Sequence, residues 1–284
     1  MKGWLHFLVP LLLLTASCEH KELCYDHPHT VHLNVEFDWT RAPDAEPKTM
    51  SVYFFQENGT ASLRYEFIDI NGSEIRINPG KYRAICHNSD TWEIIHYDRS
   101  CFDTFMLTTE GGTAAPLWTD SISYVDISED DQTITFVPEK VHCNYTIEVR
   151  NVENIKYLSY VTGSLTSLSS GWLPGIEELC VEHIAYPFEI ARSLSEKRMD
   201  GYLVTFGHCT EDHLQHKLII YATISDGNRY SYTYDVTDQI HNAPDKHNIH
   251  IIVDGLSLPK PVTDQGGMMP TVNDWNQQDI EIPM

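Results

Sequence analysis

The sequence is short of positive charge. Its 19 Lys and Arg face 41 Asp and Glu, which gives a formal net charge of −22 at pH 7. A surface of this sign repels the phosphates of nucleic acids and anionic lipid headgroups. The composition therefore excludes nucleic acid as a partner and is typical of a well-dispersed surface.

The sequence also lacks an apolar run long enough to cross a bilayer, which takes about 20 residues in a helix. The longest run covers residues 5–14, follows the basic Lys2 and leads into Thr-Ala-Ser-Cys at 15–18. This pattern is typical of an export signal and resembles a bacterial lipobox. We predict a signal peptide over 1–17 and lipidation at Cys18. Ordinary secretion, with Cys18 kept in the mature chain, is the alternative.

Catalytic signatures are missing as well. The sequence has no G-x-S-x-G, no H-E-x-x-H, no phosphate-binding loop and no dinucleotide fingerprint. We therefore predict a protein that is not an enzyme and that needs no cofactor. A metal-dependent enzyme would require His208, His213 and His216 to converge. Together with Cys209 they form the most metal-like group, but they follow a predicted strand, and we interpret them as a surface loop with no metal.

Seven cysteines are present, and lipidation of Cys18 would leave six. Cys86 and Cys143 lie in alternating apolar patterns, which predicts inward-facing, buried free thiols. Disulfides formed during export are the alternative, and six cysteines allow 15 pairings.

Alternating apolar and polar residues dominate the folded part. Val31, Leu33, Val35 and Phe37 share one face of a predicted strand, and similar runs recur through the chain. Asn71-Gly72 predicts a hairpin between strands 63–67 and 74–77, and Asp226-Gly227-Asn228 predicts a second hairpin. We interpret 163–175 as a loop and expect one short helix within 177–181 or 188–194.

These patterns predict an all-β protein with two tandem antiparallel β-sandwich domains. The expected order is a lipidated tether over 18–30, an N-terminal sandwich over 31–140, a C-terminal sandwich over 141–258, and an irregular tail over 259–284 that contains a terminal strand. The stripe of Tyr230, Tyr232 and Tyr234 is expected to pack within a sheet.

Several segments, taken in order, are similar to the fimbrillin-like lipoproteins of Bacteroidales. The resemblance extends from the tether to the last residue, and its segments are CEHKELCYDH, VHLNVEFDW, NPGKYRAICHNSDT, GYLVTFG, YTYDVTDQIHNAPDKHNIHIIVDGLSLPKP and GGMMPTVNDWNQQDIEIPM. The chain is identified as a member of a family within this superfamily, related to the anchoring and minor subunits of Fim/Mfa-type fimbriae.

The resemblance implies two transthyretin-like sandwich domains, an outer-membrane location with a lipid anchor and surface exposure, and a role in fimbria anchoring, assembly or adhesion. Fimbrillins join when a strand of one subunit fills a groove in the next. Here Ile280 and Ile282 could be such a donor strand, with Trp275 as an anchor. The alternative, which we favour, is that this strand completes its own domain, because pairing within one molecule loses less entropy.

The expected partners are the membrane, through the lipid, and other fimbrial or surface proteins. A glycan-binding surface lipoprotein is the alternative function. It would need exposed aromatic rings that stack on sugars, and the candidates are Trp92, Trp118, Trp172 and Trp275.

Overall fold

The structure is a computed structural model that describes residues 30–57, 59, 61–67, 69–90, 95–97, 99–109, 116–180, 183–209, 214–262 and 280–281. The predicted signal peptide, Cys18 and nearly all of the tether lie outside these residues. No helix among the described residues is both long enough and apolar enough to cross a bilayer.

Strands make up most of the described chain, because apolar residues recur at every second position. The strands of the first half are β1 Val31–Phe37, β2 Met50–Gln56, β3 Ser62–Phe67, β4 Gly72–Ile77, β5 Gly80–Asn88, β6 Ile95–Tyr97, β7 Met106–Thr108, β8 Trp118–Ile127, β9 Gln132–Phe136 and β10 Glu139–Lys140.

The second half continues in the same way. Its strands are β11 Cys143–Glu153, β12 Leu158–Ser169, β13 Gly171–Leu173, β14 Glu178–Leu179, β15 His183–Ser193, β16 Arg198–Thr205, β17 Lys217–Ile224, β18 Arg229–Asp235, β19 Asn248–Ser257 and β20 Ile280–Glu281. One short helix, α1, covers Thr237–His241. Single 3-10 turns cover Trp39–Arg41 and Ile155–Tyr157.

The first half is a sandwich of two sheets, with strand orders β4-β1-β9 and β10-β8-β5-β2-β3. Alternate side chains of the two sheets meet in one core, which includes Leu33 and Val35 of β1, Phe54 of β2 and Phe136 of β9. All four are fully buried, so the period of two in the sequence is the pattern that builds this core.

The second half is built on one eight-stranded sheet of order β19-β11-β16-β15-β12-β17-β18-β20. Tyr232 of β18 and Ile251 of β19 belong to the same core although their strands lie near opposite ends of the sheet. The sheet therefore folds over on itself, and its two ends face each other across the core. The all-β sandwich prediction is confirmed.

The two halves repeat one arrangement. β1 pairs antiparallel with β4 and parallel with β9, while β11 pairs antiparallel with β16 and parallel with β19. The sheets are otherwise antiparallel among the described residues, except where β20 joins β18. Each half thus begins with a central strand whose parallel partner comes late in the same half.

A smaller sheet joins the halves. Its order is β14-β13-β7-β6, so strands from 95–108 pair with strands from 171–179. Beneath it, Phe105 and Leu107 of the first half share a core with Phe206 of the second. The domain division at 140/141 stays a prediction, with this shared sheet and core lying across it.

The hairpin predicted at Asn71-Gly72 is wrong. β3 pairs with β2 in one sheet and β4 pairs with β1 in the other, so the turn carries the chain from sheet to sheet. Gly72 has φ +103°, and a Cβ there would lie 1.9 Å from the Val35 carbonyl oxygen. The glycine is therefore required by the close approach of the turn to β1. The second predicted hairpin, at 226–228, is confirmed between β17 and β18.

The loop predicted over 163–175 is also wrong, because β12 and β13 cover most of it. The helix expected within 177–181 or 188–194 is not found there, since both segments contribute to strands.

The ring of Phe188 on β15 explains why two neighbouring positions are glycine. A Cβ would lie 2.3 Å from the ring at Gly163 and 2.5 Å from it at Gly201. These glycines make room for packing rather than for turns.

Among the described residues, Cys86, Cys101, Cys143 and Cys180 are free thiols. Cys86 and Cys143 are buried, as their alternating patterns predict. The pairing of Cys24 lies outside the described residues.

Candidate functional site

The outer edge of the eight-stranded sheet at β18 receives the end of the chain. β20 pairs parallel with β18, Ile280 opposite Tyr232 and Glu281 opposite Thr233. Two residues make a very short strand, so most of the length of β18 has no neighbour on this side among the described residues. An edge of this kind is a template for pairing with another strand.

The alternating tyrosines of β18 explain how this edge is held in place. Tyr232 and Tyr234 are 5% and 3% exposed, and Tyr230 packs against the same core. Burial raises the pKa of Tyr234 to about 12, with the neighbouring Tyr232 adding to the effect. The prediction that this stripe packs within the sheet is confirmed, and the buried rings hold β18 against the core.

The opposite edge, at β19, is covered at Ile252 by a side chain of α1. The side-chain amide of Gln239 on α1 donates to the Ile252 carbonyl oxygen at 3.0 Å and accepts from the Ile252 N–H at 2.8 Å. A single amide thus imitates a neighbouring strand and satisfies the outward-facing groups of Ile252. The two edges of the sheet therefore differ: a side chain covers β19 at Ile252, whereas β18 is paired with a short strand.

A groove of about 610 Å³ lies between the two halves. Its apolar floor and wall come from Val141 and Phe206, which are buried, and from Trp172 and Leu179, which are partly buried. The indole Nε1 of Trp172 donates to Thr119 Oγ1 at 3.2 Å, which fixes the orientation of the ring.

The rim of the groove is rich in basic side chains, namely Arg41, Lys140 and Lys246. Among the described residues, neither lysine forms an ion pair with a carboxylate, and Arg41 lies 3.7 Å from Glu139. Asp245 is occupied by its own turn, accepting from Asn248 Nδ2 at 2.7 Å and from the His247 N–H at 2.8 Å. The Asn248 side chain is the main cause of the lowered pKa of Asp245.

Three histidines meet beside the groove. His216 Nε2 lies 3.1 Å from His241 Nε2, and His208 stacks on His241 with ring centres 6.1 Å apart. His216 is fully buried and lies within hydrogen-bonding distance of the backbone carbonyls of Thr166 and Cys209, both at 3.2 Å.

Burial sets the charge of this cluster. The pKa of His208 is lowered to about 4, mainly by desolvation, with His216, His241 and Lys246 contributing to the shift. The pKa of His216 is lowered by the same cause. His208 and His216 are therefore neutral at pH 7.

The comparisons with known proteins agree with this architecture. A family profile described as "Domain of unknown function (DUF5119)" matches residues 17–116 and 112–189, which together make up more than half of the chain. The chain belongs to the DUF5119 family. This confirms the family resemblance found in the sequence.

A curated relative in Bacteroides ovatus, "Putative fimbrium anchoring subunit Fim4B", is 24% identical over 188 residues. The alignment covers 61% of this chain and 56% of the relative, so this DUF5119 chain spans little more than half the length of the curated relative it matches.

Solved structures share the fold. A "putative adhesin" from Bacteroides ovatus is 18% identical with a TM-score of 0.68, over 86% of this chain and 98% of that one. The fimbrial anchor protein Mfa2 from Porphyromonas gingivalis is 13% identical with a TM-score of 0.55, over 80% of this chain and 91% of that one. This DUF5119 member therefore has the β-sandwich fold of these proteins.

The residues predicted for strand donation are only partly described. The backbone of Ile280 pairs within its own chain, whereas Trp275 and Ile282 lie outside the described residues, as does Cys18. Exchange of this strand between molecules stays a proposal.

The interpretation of the histidines as a surface loop is wrong for His216. It is fully buried, and His208 is brought beside it, while His213 lies outside the described residues. His241 was missed because it lies on α1, 25 residues after His216, and no local spacing links the two. The part of the chain that the structure describes contains no three His, Cys, Asp or Glu side chains arranged to hold a metal ion.

The tryptophans named for sugar stacking differ in their surroundings. Trp118 is partly buried and meets the His142 ring edge-on at 5.7 Å, whereas Trp172 lines the groove. Trp92 and Trp275 lie outside the described residues. The most exposed described aromatics are tyrosines that the sequence did not single out, Tyr124, Tyr160 and Tyr202 among them.

Proposed function

We propose that this chain is a non-enzymatic, lipid-anchored protein of the outer membrane that acts in fimbria anchoring, assembly or adhesion. It would work through protein contacts along its sheet edges. The observation that carries the proposal is the difference between the two edges of the eight-stranded sheet. Gln239 covers the outward backbone groups of Ile252 on β19, while β18 carries only the short β20 among the described residues.

The edge at β18 suits a protein partner. Main-chain hydrogen bonds along an added strand supply affinity, and alternating side chains set the register. The inward tyrosines keep β18 in place, so a partner strand would meet an edge that is already ordered and would lose less entropy on binding. The relationship to Fim4B and the fold shared with Mfa2 support a fimbrial partner.

The proposed lipid anchor at Cys18 supports the same role in fimbria anchoring, assembly or adhesion. Acyl chains on Cys18 would hold the membrane, and residues 18–30 would act as a tether. Labelling with a fatty-acid probe tests the anchor. We expect Cys18→Ala to lose both the label and the membrane fraction, and Cys101→Ala, a matched control, to keep both. A labelled, membrane-bound Cys18→Ala variant would refute the lipid anchor.

Photo-crosslinking on intact cells tests the edge. A photoreactive residue is placed at Thr233 on β18 and, in a control, at the exposed His250 on β19. We expect Thr233 to capture a fimbrial subunit, identified by mass spectrometry, and His250 not to. Equal capture from both positions, or capture from His250 alone, would contradict the proposal.

Removal of residues 273–284 separates the two roles of the terminal strand. A strand that completes its own sheet should leave a monomer with a lower melting temperature. A strand donated to a neighbour should leave the melting temperature unchanged and abolish assembly. A melting curve and a size-exclusion profile of the same sample distinguish the two outcomes, and a truncation that alters neither would remove this strand from the mechanism.

A further inference from the structure

We propose that the groove between the two halves is a binding site for a carboxylated sugar, such as a uronic acid within a glycan. The groove combines in one cavity a fixed aromatic ring, an apolar floor and two lysines that have no carboxylate partner among the described residues. This site lies apart from the β18 edge and would exist whether or not that edge binds a fimbrial partner.

The cavity has the size of a small-ligand site. Its volume of about 610 Å³ lies within the usual range of roughly 300–1,000 Å³. Val141 and Phe206 form a buried floor, and Trp172 and Leu179 add partly buried apolar surface. Sites of this kind obtain affinity from apolar and aromatic contact and specificity from a few polar groups.

The ring of Trp172 is presented in a fixed orientation. Its Nε1 is already bonded to Thr119 Oγ1, so the indole offers apolar surface rather than its N–H to a ligand. A sugar has an apolar face of C–H groups that can lie against such a ring, while its hydroxyls reach polar groups at the rim. His247 and Asn248 are among the polar residues there.

The rim favours a negative charge. Lys140 and Lys246 have no carboxylate partner among the described residues, and Arg41 forms only a 3.7 Å pair with Glu139. Lys246 is close enough to lower the pKa of His208, and Lys140 contributes to lowering that of His142. Arg41, Lys140 and Lys246 outnumber the two carboxylates that line the groove, Glu139 and Asp245. In a chain with a net charge of −22, this local excess of positive charge is an exception that a carboxylate would complement.

The groove is less suited to an extended peptide. Three sheet edges reach the groove: β10 and β14, which are two residues long each, and the start of β19, of which only Asn248 lines the groove. An added strand needs a longer edge to form a useful set of main-chain hydrogen bonds. The groups with which the groove can bind a ligand are therefore side chains, and side chains can recognise a sugar ring and its carboxylate.

Titration of the purified full chain with trigalacturonate, followed by tryptophan fluorescence, tests the site. We expect a saturable change in emission that weakens at high salt, because exposed charge pairs are screened. A neutral galactose trisaccharide should bind about tenfold or more weaker, the factor associated with losing a charge-assisted contact.

Matched variants locate the binding. Lys246→Gln and Lys140→Gln should each weaken trigalacturonate binding about tenfold, while Lys81→Gln, on the exposed surface of β5, should leave it unchanged. Trp172→Phe should remove the fluorescence change. Trp118→Phe, which lies outside the groove, should keep it. Melting curves of all five variants check that each is folded.

Three results would overturn the proposal: no saturable binding of trigalacturonate, binding that the groove variants do not affect, or tighter binding of tetraglutamate than of trigalacturonate. The last result would assign the groove to an acidic peptide instead. None of these results depends on the crosslinking at β18, so the two proposals can fail separately.

Discussion

Gln239 and Ile252 form a two-point contact at the edge of the eight-stranded sheet. The amide of Gln239 donates to the Ile252 carbonyl at 3.0 Å and accepts from the Ile252 N–H at 2.8 Å. An exposed edge strand can pair with other chains, and covering it prevents such pairing. One side chain on a five-residue helix therefore satisfies the outward backbone groups of β19 at Ile252.

Gln239→Ala should lower the free energy of unfolding by about 1–2 kcal/mol, because two partly buried hydrogen bonds are lost. It should also increase self-association, since the outward groups of Ile252 are uncovered. Chemical denaturation and size-exclusion chromatography measure the two effects. Asp238→Ala, an exposed change on the same helix, is the control. A Gln239→Ala variant as stable and as monomeric as the control would show that the amide does not protect the edge.

Local patterns predict the strands but not this closure. The alternation from Val31 to Phe37 gives β1 with its observed bounds, because burial of one face depends on the local sequence alone. Gln239 belongs to a helix of only five residues, too short for a 3.6-residue period to stand out. Its partner is 13 residues away, and only the tertiary fold brings the two together.

The packing of Phe188 against two glycines leads to a second prediction. Gly201→Ala should lower the free energy of unfolding by about 1–3 kcal/mol, because the new Cβ would lie 2.5 Å from the ring and overpack the sheet. Combining it with Phe188→Leu should recover part of this loss, since the smaller side chain leaves room. A double-mutant cycle on thermal or urea unfolding measures the coupling. Additive effects would show that the ring is not what excludes a larger residue.

The same contact explains a wrong prediction. Glycine and serine over 163–175 have the composition of a loop, yet Gly163 lies within β12 opposite Phe188. The sequence alone does not distinguish a glycine that makes room for a ring on the neighbouring strand from a glycine that a turn requires. The two can be told apart only when the strand partner is known. The histidine cluster could not be predicted for the same reason, because His241 comes from a distant segment.

The buried histidines lead to a prediction about acid. The folded-state pKa of His208 is about 4, below its ordinary value of about 6.5. The unfolded chain therefore binds protons first as the pH falls, so stability is complete above about pH 6.5 and is lost progressively down to about pH 4. His208→Gln, which cannot titrate, should lose less unfolding free energy than the wild-type protein over this range.

Urea unfolding at several pH values between 7 and 4 measures this effect. The His208→Gln variant loses the contact between the Tyr145 hydroxyl and His208 Nδ1, which are 2.9 Å apart. This loss changes the free energy of unfolding by an amount that does not depend on pH. The slope with pH, rather than the stability itself, is the test. Equal slopes for His208→Gln and the wild-type protein would rule out His208 as a source of the acid sensitivity.

The free thiols should differ in reactivity, because the thiolate is the reactive form. The Thr104 hydroxyl lowers the pKa of the partly exposed Cys101, whereas burial raises the pKa of Cys143 to about 12 and that of Cys86 well above its ordinary value. Iodoacetamide at pH 8, followed by peptide mass spectrometry, should modify Cys101 first and should leave Cys86 and Cys143 unmodified until denaturant is added. Cys101→Ser should remove the fast phase of labelling. Modification of Cys143 in the native protein as fast as that of Cys101 would show that the Cys143 thiol is open to solvent. It would contradict the packing of Cys143, whose Sγ lies 3.1 Å from the Lys246 carbonyl oxygen.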